Sequence, residues 1–265
     1  MAEDLNPQTL EELVLACDDD APAAAEALGT AALEPLERLI QHRDAEVRRS
    51  AVRCLGVLVD EGAAPLLLKA TEDPDTNVRR DALLWLRSAP TAAPAPELLS
   101  VLRRHPDAAV RRELALLAGY LGAEGVAQEL ESILEQESDA EVRRSLDLAL
   151  ARLGDRSRRE ALLAGLSSTS TEERLQALEA FEHISAPEES GRLSAWLDDE
   201  TTAEVIALGP QYVELRFCDL AARAIVNVAG LDAPFDAARP VPLSAEQVAW
   251  VKENMPGTDS GSGAQ

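Results

Sequence analysis

Asp44-Ala-Glu-Val47-Arg48-Arg49, Asp75-Thr-Asn-Val78-Arg79-Arg80, Asp107-Ala-Ala-Val110-Arg111-Arg112 and Asp139-Ala-Glu-Val142-Arg143-Arg144 are four copies of one phrase, with their aspartates 31, 32 and 32 residues apart. A period of that length accommodates one helical hairpin per repeat, and stacked hairpins bury a continuous core that no single repeat can build. The expected fold is all-α, an α-α superhelix (α-solenoid) of about six or seven helical pairs.

Each position of the phrase has a physical reason. An aspartate before a helix accepts a hydrogen bond from a first-turn amide and sits at the positive end of the helix dipole, worth about 0.5–2 kcal/mol. Asp44, Asp75, Asp107 and Asp139 therefore start helices. Val47, Val78, Val110 and Val142 open an apolar stripe that in the first copy runs on through Ala51, Leu55 and Leu58 at helical spacing. Arg48, Arg79, Arg111 and Arg143 are within reach of an aspartate of their own or a neighbouring repeat, which makes them a structural ladder between repeats. The first helices of the pairs lie between the phrases, at Ala31 to Gln41, Gly62 to Thr71, Pro96 to Arg104, Glu124 to Gln136 and Arg156 to Leu166, separated by turns such as Asp73-Pro74 and His105-Pro106. A fifth, degenerate copy at Glu173-Arg174-Leu175-Gln176-Ala177 lacks both the valine and the capping aspartate.

The four phrases, each with a small or apolar residue four positions after the valine (Ala51, Ala82, Leu114, Leu146), resemble the HEAT-repeat superfamily, and within it the bacterial type related to the HEAT-like repeats of phycobilin lyases. The resemblance implies architecture; the repeat type is shared by proteins of many activities. Expected boundaries are a single solenoid over 1–230, with an N-terminal cap at 1–30, regular repeats over 31–185 and an altered C-terminal repeat at 186–230. In the cap, Thr9 to Cys17 and Pro22 to Leu28 pair as helices. In the last repeat, Gly191 to Leu197 and Tyr212 to Ala229 pair, and Tyr212 to Ala222 resembles a terminal repeat of bacterial HEAT proteins. A linker and short helix capped by Ser244 follow over 231–254, then a disordered small-residue tail at 255–265.

Composition narrows the function. Twenty-five basic against 48 acidic residues leave a net charge of −23, with 23 arginines but only Lys69 and Lys252 as lysines. That balance opposes nucleic-acid binding, whose affinity comes from cations neutralising phosphates, and favours solubility and basic partners. The acids cluster at the ends: residues 1–43 carry ten acidic side chains against two basic ones. No apolar run approaches 18 residues, so nothing predicts membrane insertion, and the expected location is the cytoplasm. Cys17, Cys54 and Cys218 are widely spaced and read as reduced core thiols. His42 and His105 share one turn position, filled in the other copies by Asp73 and Glu137. A HEAT-repeat hydroxylase of the deoxyhypusine type would need His-Glu pairs to hold its metals, and only the reversed, isolated Glu182-His183 occurs. With no nucleophile elbow, phosphate loop or dinucleotide fingerprint, no catalytic residue, metal or cofactor is expected.

Candidate binding residues are the second arginines, Arg49, Arg80, Arg112 and Arg144, which fall at one position on successive helices and form a stripe with a step of roughly 10 Å. The alternative is a solvated or internally paired row, balanced by Glu46, Glu113 and Glu141. Six positions after the valine the residues are Arg53, Leu84, Leu116, Leu148 and, in the degenerate copy, Glu179; if that position faces the groove, the middle repeats offer an apolar floor rimmed by arginines, with Trp85 and Tyr120 as anchor-type neighbours. These residues predict a non-catalytic protein-binding scaffold or adaptor using the concave face for a protein partner. Two alternatives remain: an acidic immunity or antitoxin-like inhibitor of a basic toxin, and a chromophore-lyase-like subunit suggested by the repeat resemblance.

Overall fold

The computed structural model describes residues 6–256, which form two compact units, 6–153 and 154–256. Of the expected tail, 257–265 lies outside the described residues.

Among the described residues, the first unit contains ten α-helices: α1 Pro7–Leu15, α2 Ala21–Leu28, α3 Leu33–Leu39, α4 Ala45–Gly56, α5 Ala64–Ala70, α6 Thr76–Ser88, α7 Ala95–Arg104, α8 Ala108–Ala118, α9 Val126–Gln136 and α10 Ala140–Arg152. The four phrase aspartates cap α4, α6, α8 and α10, each accepting from the amide two residues on at 2.8–3.0 Å. The four valines are 0–4% exposed and begin the faces on which α4 packs against α6, α6 against α8 and α8 against α10. The first helices α5, α7 and α9 form a second row beside them.

The residue two before each cap explains the alternation of histidine and acid there. His42 Nδ1, Asp73 Oδ1, His105 Nδ1 and Glu137 Oε1 each accept the amide of the capping aspartate, at 3.2, 2.8, 3.1 and 2.9 Å. All four side chains do one job, closing the turn with an acceptor. The two histidines are turn residues.

Two glycines set how close neighbouring second helices come. Trp85 of α6 lies flat over Gly56 of α4, where a Cβ would stand 2.0 Å from the indole. One repeat pair further on, Gly119 presses against Ala149 of α10 with a would-be Cβ 3.0 Å from its Cα. Alanine in place of a helical glycine ordinarily gains about 0.8–1.0 kcal/mol. At Gly56 the steric term wins, so Gly56→Ala should destabilise the unit by about 1–3 kcal/mol. Adding Trp85→Leu should recover most of the loss in chemical denaturation; strict additivity of the two changes would show that the indole is not the obstacle.

The second unit holds α11 Arg156–Leu163, α12 Thr171–Ile184, a 3-10 segment Pro187–Asp198, strands β1 Thr202–Leu208 and β2 Gln211–Arg216, and helices α13 Phe217–Ala229 and α14 Ala245–Asn254. Ser170, 31 residues after Asp139, caps α12 by accepting the Glu173 amide, so serine takes over where the aspartate is lost. The altered last repeat differs from expectation. Gly191 to Leu197 belongs to the 3-10 segment, and Tyr212–Arg216 is a strand; the helix begins only at Phe217. The antiparallel pair closes through Gly209-Pro210, with Leu208 opposite Gln211 and Gly209 at φ 60°, a backbone angle that glycine adopts without a steric cost. Ser244 caps α14 by a capping box with Gln247.

Candidate protein-binding cleft on the second helices

The two arginines of the phrase have separate geometries. Arg48 reaches forward to Asp73 (2.7 Å), Arg79 to Asp107 (3.1 Å) and Arg111 to Glu137 (2.8 Å). The same side chains turn back onto their own repeat: Arg48 donates to His42 O, Arg79 to Asp73 O, Arg111 to His105 O and Arg143 to Glu137 O. The ladder acceptor is the acid two before the cap. Where that position is His105, the capping aspartate, Asp107, takes its place; among the described residues, Asp44, Asp75 and Asp139 cap without joining a forward ion pair. Arg111 holds the Glu137 carboxyl below its ordinary range. The Asp107 carboxyl lies low too, first through the Ala109 amide it caps and then through Arg79.

The second arginines do not form a uniform stripe. Arg49 is tied across to Asp81 of α6 at 2.6 Å. Arg144 is half-buried. Arg80 and Arg112 stand out, 66% and 47% exposed, with Asp81 at 3.7 Å from the first and Glu113 at 3.0 Å from the second. Glu113 and Asp81, three positions after the valines, therefore balance the row. Arg87, which the repeat phrase does not contain, joins the pair at 63% exposure, 3.5 Å from Glu113.

These three guanidinium groups rim a cleft of about 360 Å³ between α6 and α8, floored by Leu83, Leu84 and Val110. Leu84 is 62% exposed. The other residues at its repeat position do not extend the floor: Leu116 is half-buried, and Leu148 is 3% exposed in the core. Trp85 is engaged on Gly56, and Arg152 lies 3.8 Å over the Tyr120 ring, so both rings pack between helices.

In the second unit, Arg174 is stacked 3.4 Å from the Phe217 ring and 4.3 Å from Trp196 while pairing with Asp199 at 2.8 Å. A second cleft, about 350 Å³, carries Glu179, Glu182 and Glu204 at its wall. Lost solvation first, then the Glu179 and Glu204 carboxylates, push the Glu182 carboxyl up. Among the described residues no cluster of three or more histidine, cysteine or acidic side chains is arranged to hold a metal ion, and no helix is long and apolar enough to cross a membrane. Burial raises the Cys54 thiol to about 12 and moves the Cys218 thiol in the same direction, so neither is a thiolate nucleophile at neutral pH.

The repeat geometry agrees with comparison to known proteins. The family model for HEAT repeats matches residues 4–87 and 95–182, and the chain belongs to that family. The complex of CpcE and CpcF of phycocyanin lyase from Nostoc sp. PCC7120 is similar at 18% identity and TM-score 0.50, with 96% of this chain and 97% of that one covered. The archaeal HEAT-like repeats protein from Thermococcus onnurineus NA1 is similar at 15% identity and TM-score 0.47, covering 94% and 99%. At these identities the likeness is one of fold. Comparison with curated protein sequences finds no match.

Proposed function

We propose that this protein is a non-catalytic scaffold or adaptor of a bacterial cytoplasm, and that it holds a protein partner against the α6–α8 cleft. The observation that carries this reading is the exposed Leu84 over an apolar floor, ringed by Arg80, Arg87 and Arg112. An apolar centre with an arginine rim is the composition of a binding hot spot. Arg80→Glu combined with Arg112→Glu should abolish capture of the native partner from host extract, scored by mass spectrometry against the unaltered chain. The melting temperature should fall by no more than a few degrees, because both side chains are exposed. Retention of the same partner by the double variant would remove the cleft from this role.

The acidic wall of Glu179, Glu182 and Glu204 favours a second reading, capture of a basic protein in the manner of an immunity protein. Glu179→Gln with Glu182→Gln would then weaken capture in a salt-dependent way while the arginine reversals leave it intact. Asp198 and Asp199 serve this test less well, since Asp198 pairs with Lys252 and Asp199 with Arg174. A chromophore-lyase-like role is supported by the repeat resemblance and by the similar phycocyanin lyase complex, and visible absorbance on incubation with a bilin is its test.

A further inference from the structure

We propose that the partner element seated in the α6–α8 cleft is an acidic amphipathic helix, carrying one or two large apolar side chains between carboxylates seven residues apart. This rests on the binding-face reading above and specifies its ligand.

The spacing comes from α6. Arg80, Leu83, Leu84 and Arg87 fall at i, i+3, i+4 and i+7, one stripe along a helix, and at 1.5 Å per residue the two arginines are separated by about 10 Å along the axis. A helix laid alongside has the same rise, so Glu-x-x-Leu-Leu-x-x-Glu on its facing side sets its carboxylates against Arg80 and Arg87 and its leucines over Leu84. Arg112, across the cleft on α8, closes the other side of that groove. An extended segment at about 3.3 Å per residue covers the same distance in three residues, and residues three apart in a strand point to opposite faces, so only one of the two carboxylates would face an arginine.

The charge comes from which arginines are spent. Arg48 and Arg111 are 11% and 17% exposed and hold their acids at 2.7 and 2.8 Å. Arg80 and Arg87 are 66% and 63% exposed, with the nearest carboxylate oxygen at 3.7 and 3.5 Å. A guanidinium carries five donors, and these two keep most of theirs directed at solvent. Three guanidinium groups stand around one apolar floor, the third being Arg112, 47% exposed and bonded to Glu113 at 3.0 Å, and they outnumber the Asp107 and Glu113 carboxylates that also line the cleft. On a chain whose net charge is −23 they mark a local reversal of sign that a basic segment would oppose and a carboxylate-bearing one would match bidentately. The apolar floor separates this ligand from a nucleic acid, whose recognition needs a run of phosphate contacts.

The test uses the full chain and fluorescein-labelled Ala-rich helical peptides read by anisotropy at two salt concentrations. One peptide carries Glu-x-x-Leu-Leu-x-x-Glu, a second replaces both Glu by Lys, and a third has the same composition with the Glu pair moved to a spacing of five. The first should bind at least about tenfold more tightly than either other, and more weakly at high salt. Arg87→Glu and Leu84→Ser, both at exposed positions, should each cost about tenfold or more without altering the helical circular dichroism. Equal or tighter binding of the lysine peptide overturns the acidic ligand, and equal binding of the respaced peptide overturns the helical one. Displacement of the first peptide by an equimolar oligothymidine reassigns the rim to polyanions and also overturns the proposal. If no peptide binds while Arg80→Glu with Arg112→Glu still abolishes capture of the native partner, the cleft stands as the binding face and this ligand is wrong; if neither effect is seen, both readings fail.

Discussion

Val110→Asp should abolish the cooperative thermal transition of the first unit, and Val78→Asp should do the same. Both valines are buried, at 3% and 1% exposure, on the faces that α6 and α8 turn to their neighbours. An unpaired carboxylate there loses its water without gaining a partner, a cost of several kcal/mol at the least. A domain of ordinary stability has about 5–15 kcal/mol in total. The loss also spreads, because in stacked repeats each hairpin is held mainly by the repeats beside it, so a broken central interface releases both flanks. Arg80→Ala, two residues from Val78 on the same helix but 66% exposed, should shift stability by no more than about 0.5 kcal/mol. Melts followed by circular dichroism that ranked Arg80→Ala as the more damaging change would invert the assignment of buried and exposed faces. Because the chain comprises two units, the signal should drop in part, with the second unit keeping its own transition.

Most of the repeat architecture was legible in the primary sequence because a repeat writes its constraints several times. One Asp-x-x-Val-Arg-Arg phrase is weak, whereas four at a fixed interval state where the helices start, which face is apolar and which polar side chain points at the neighbour. The acceptor of the arginine ladder was not legible in the same way. Asp73, His105 and Glu137 differ in type; all three close the turn by accepting the cap amide, but only Asp73 and Glu137 also receive the ladder arginine.

The hairpin was missed for a different reason. Thr202-Ala-Glu-Val-Ile-Ala-Leu-Gly-Pro-Gln-Tyr-Val-Glu-Leu-Arg216 carries the signal of two short runs around Gly-Pro, with β-branched Val205, Ile206 and Val213. The likeness of Tyr212 to Ala222 to a terminal helical repeat outweighed it. The cleft was half legible. Arg80, Arg112 and Leu84 follow from the period, but Arg87 has no counterpart in the phrase. Leu148 sits at Leu84's position yet lies in the core, since repeat position sets direction along the helix while exposure depends on what the neighbouring elements cover.

The second unit depends on a polar group that no repeat pattern announces. Asp219 of α13 is fully buried. It accepts from the Arg216 amide at 2.8 Å, from Arg216 Nε at 3.0 Å and Nη2 at 2.8 Å, and from the Leu243 amide at 2.8 Å. Arg216 Nη2 also donates to Leu243 O at 2.8 Å, so one carboxylate and one guanidinium fasten the segment before α14 to the start of α13. Asp219→Asn keeps the shape but presents an NH₂ where donors already converge. Breaking one partner of a buried pair ordinarily costs about 3–5 kcal/mol, and release of residues 241–254 should come before loss of α13. Amide hydrogen exchange should therefore show α14 deprotected in the variant and protected in the unaltered chain. The pH dependence has a definite sign. Burial alone would raise the Asp219 carboxyl, but Arg216 and the Leu243 and Arg216 amides outweigh it and hold it below its ordinary value. A carboxyl lowered in the fold stabilises at pH above the unfolded value of about 3.9 and loses that contribution as pH falls through its folded value. Asp155, Glu160 and Asp199 of the same unit are lowered too, whereas Glu182 is raised and acts in the opposite sense. Comparing the chain with its Asp219→Asn variant isolates the one group: the gap in stability should be full at pH 6 and should narrow as the medium is acidified below about pH 4. A gap that stayed constant down to pH 2, or α14 amides equally protected in both proteins, would show that this carboxylate does not hold the C-terminal helix in place.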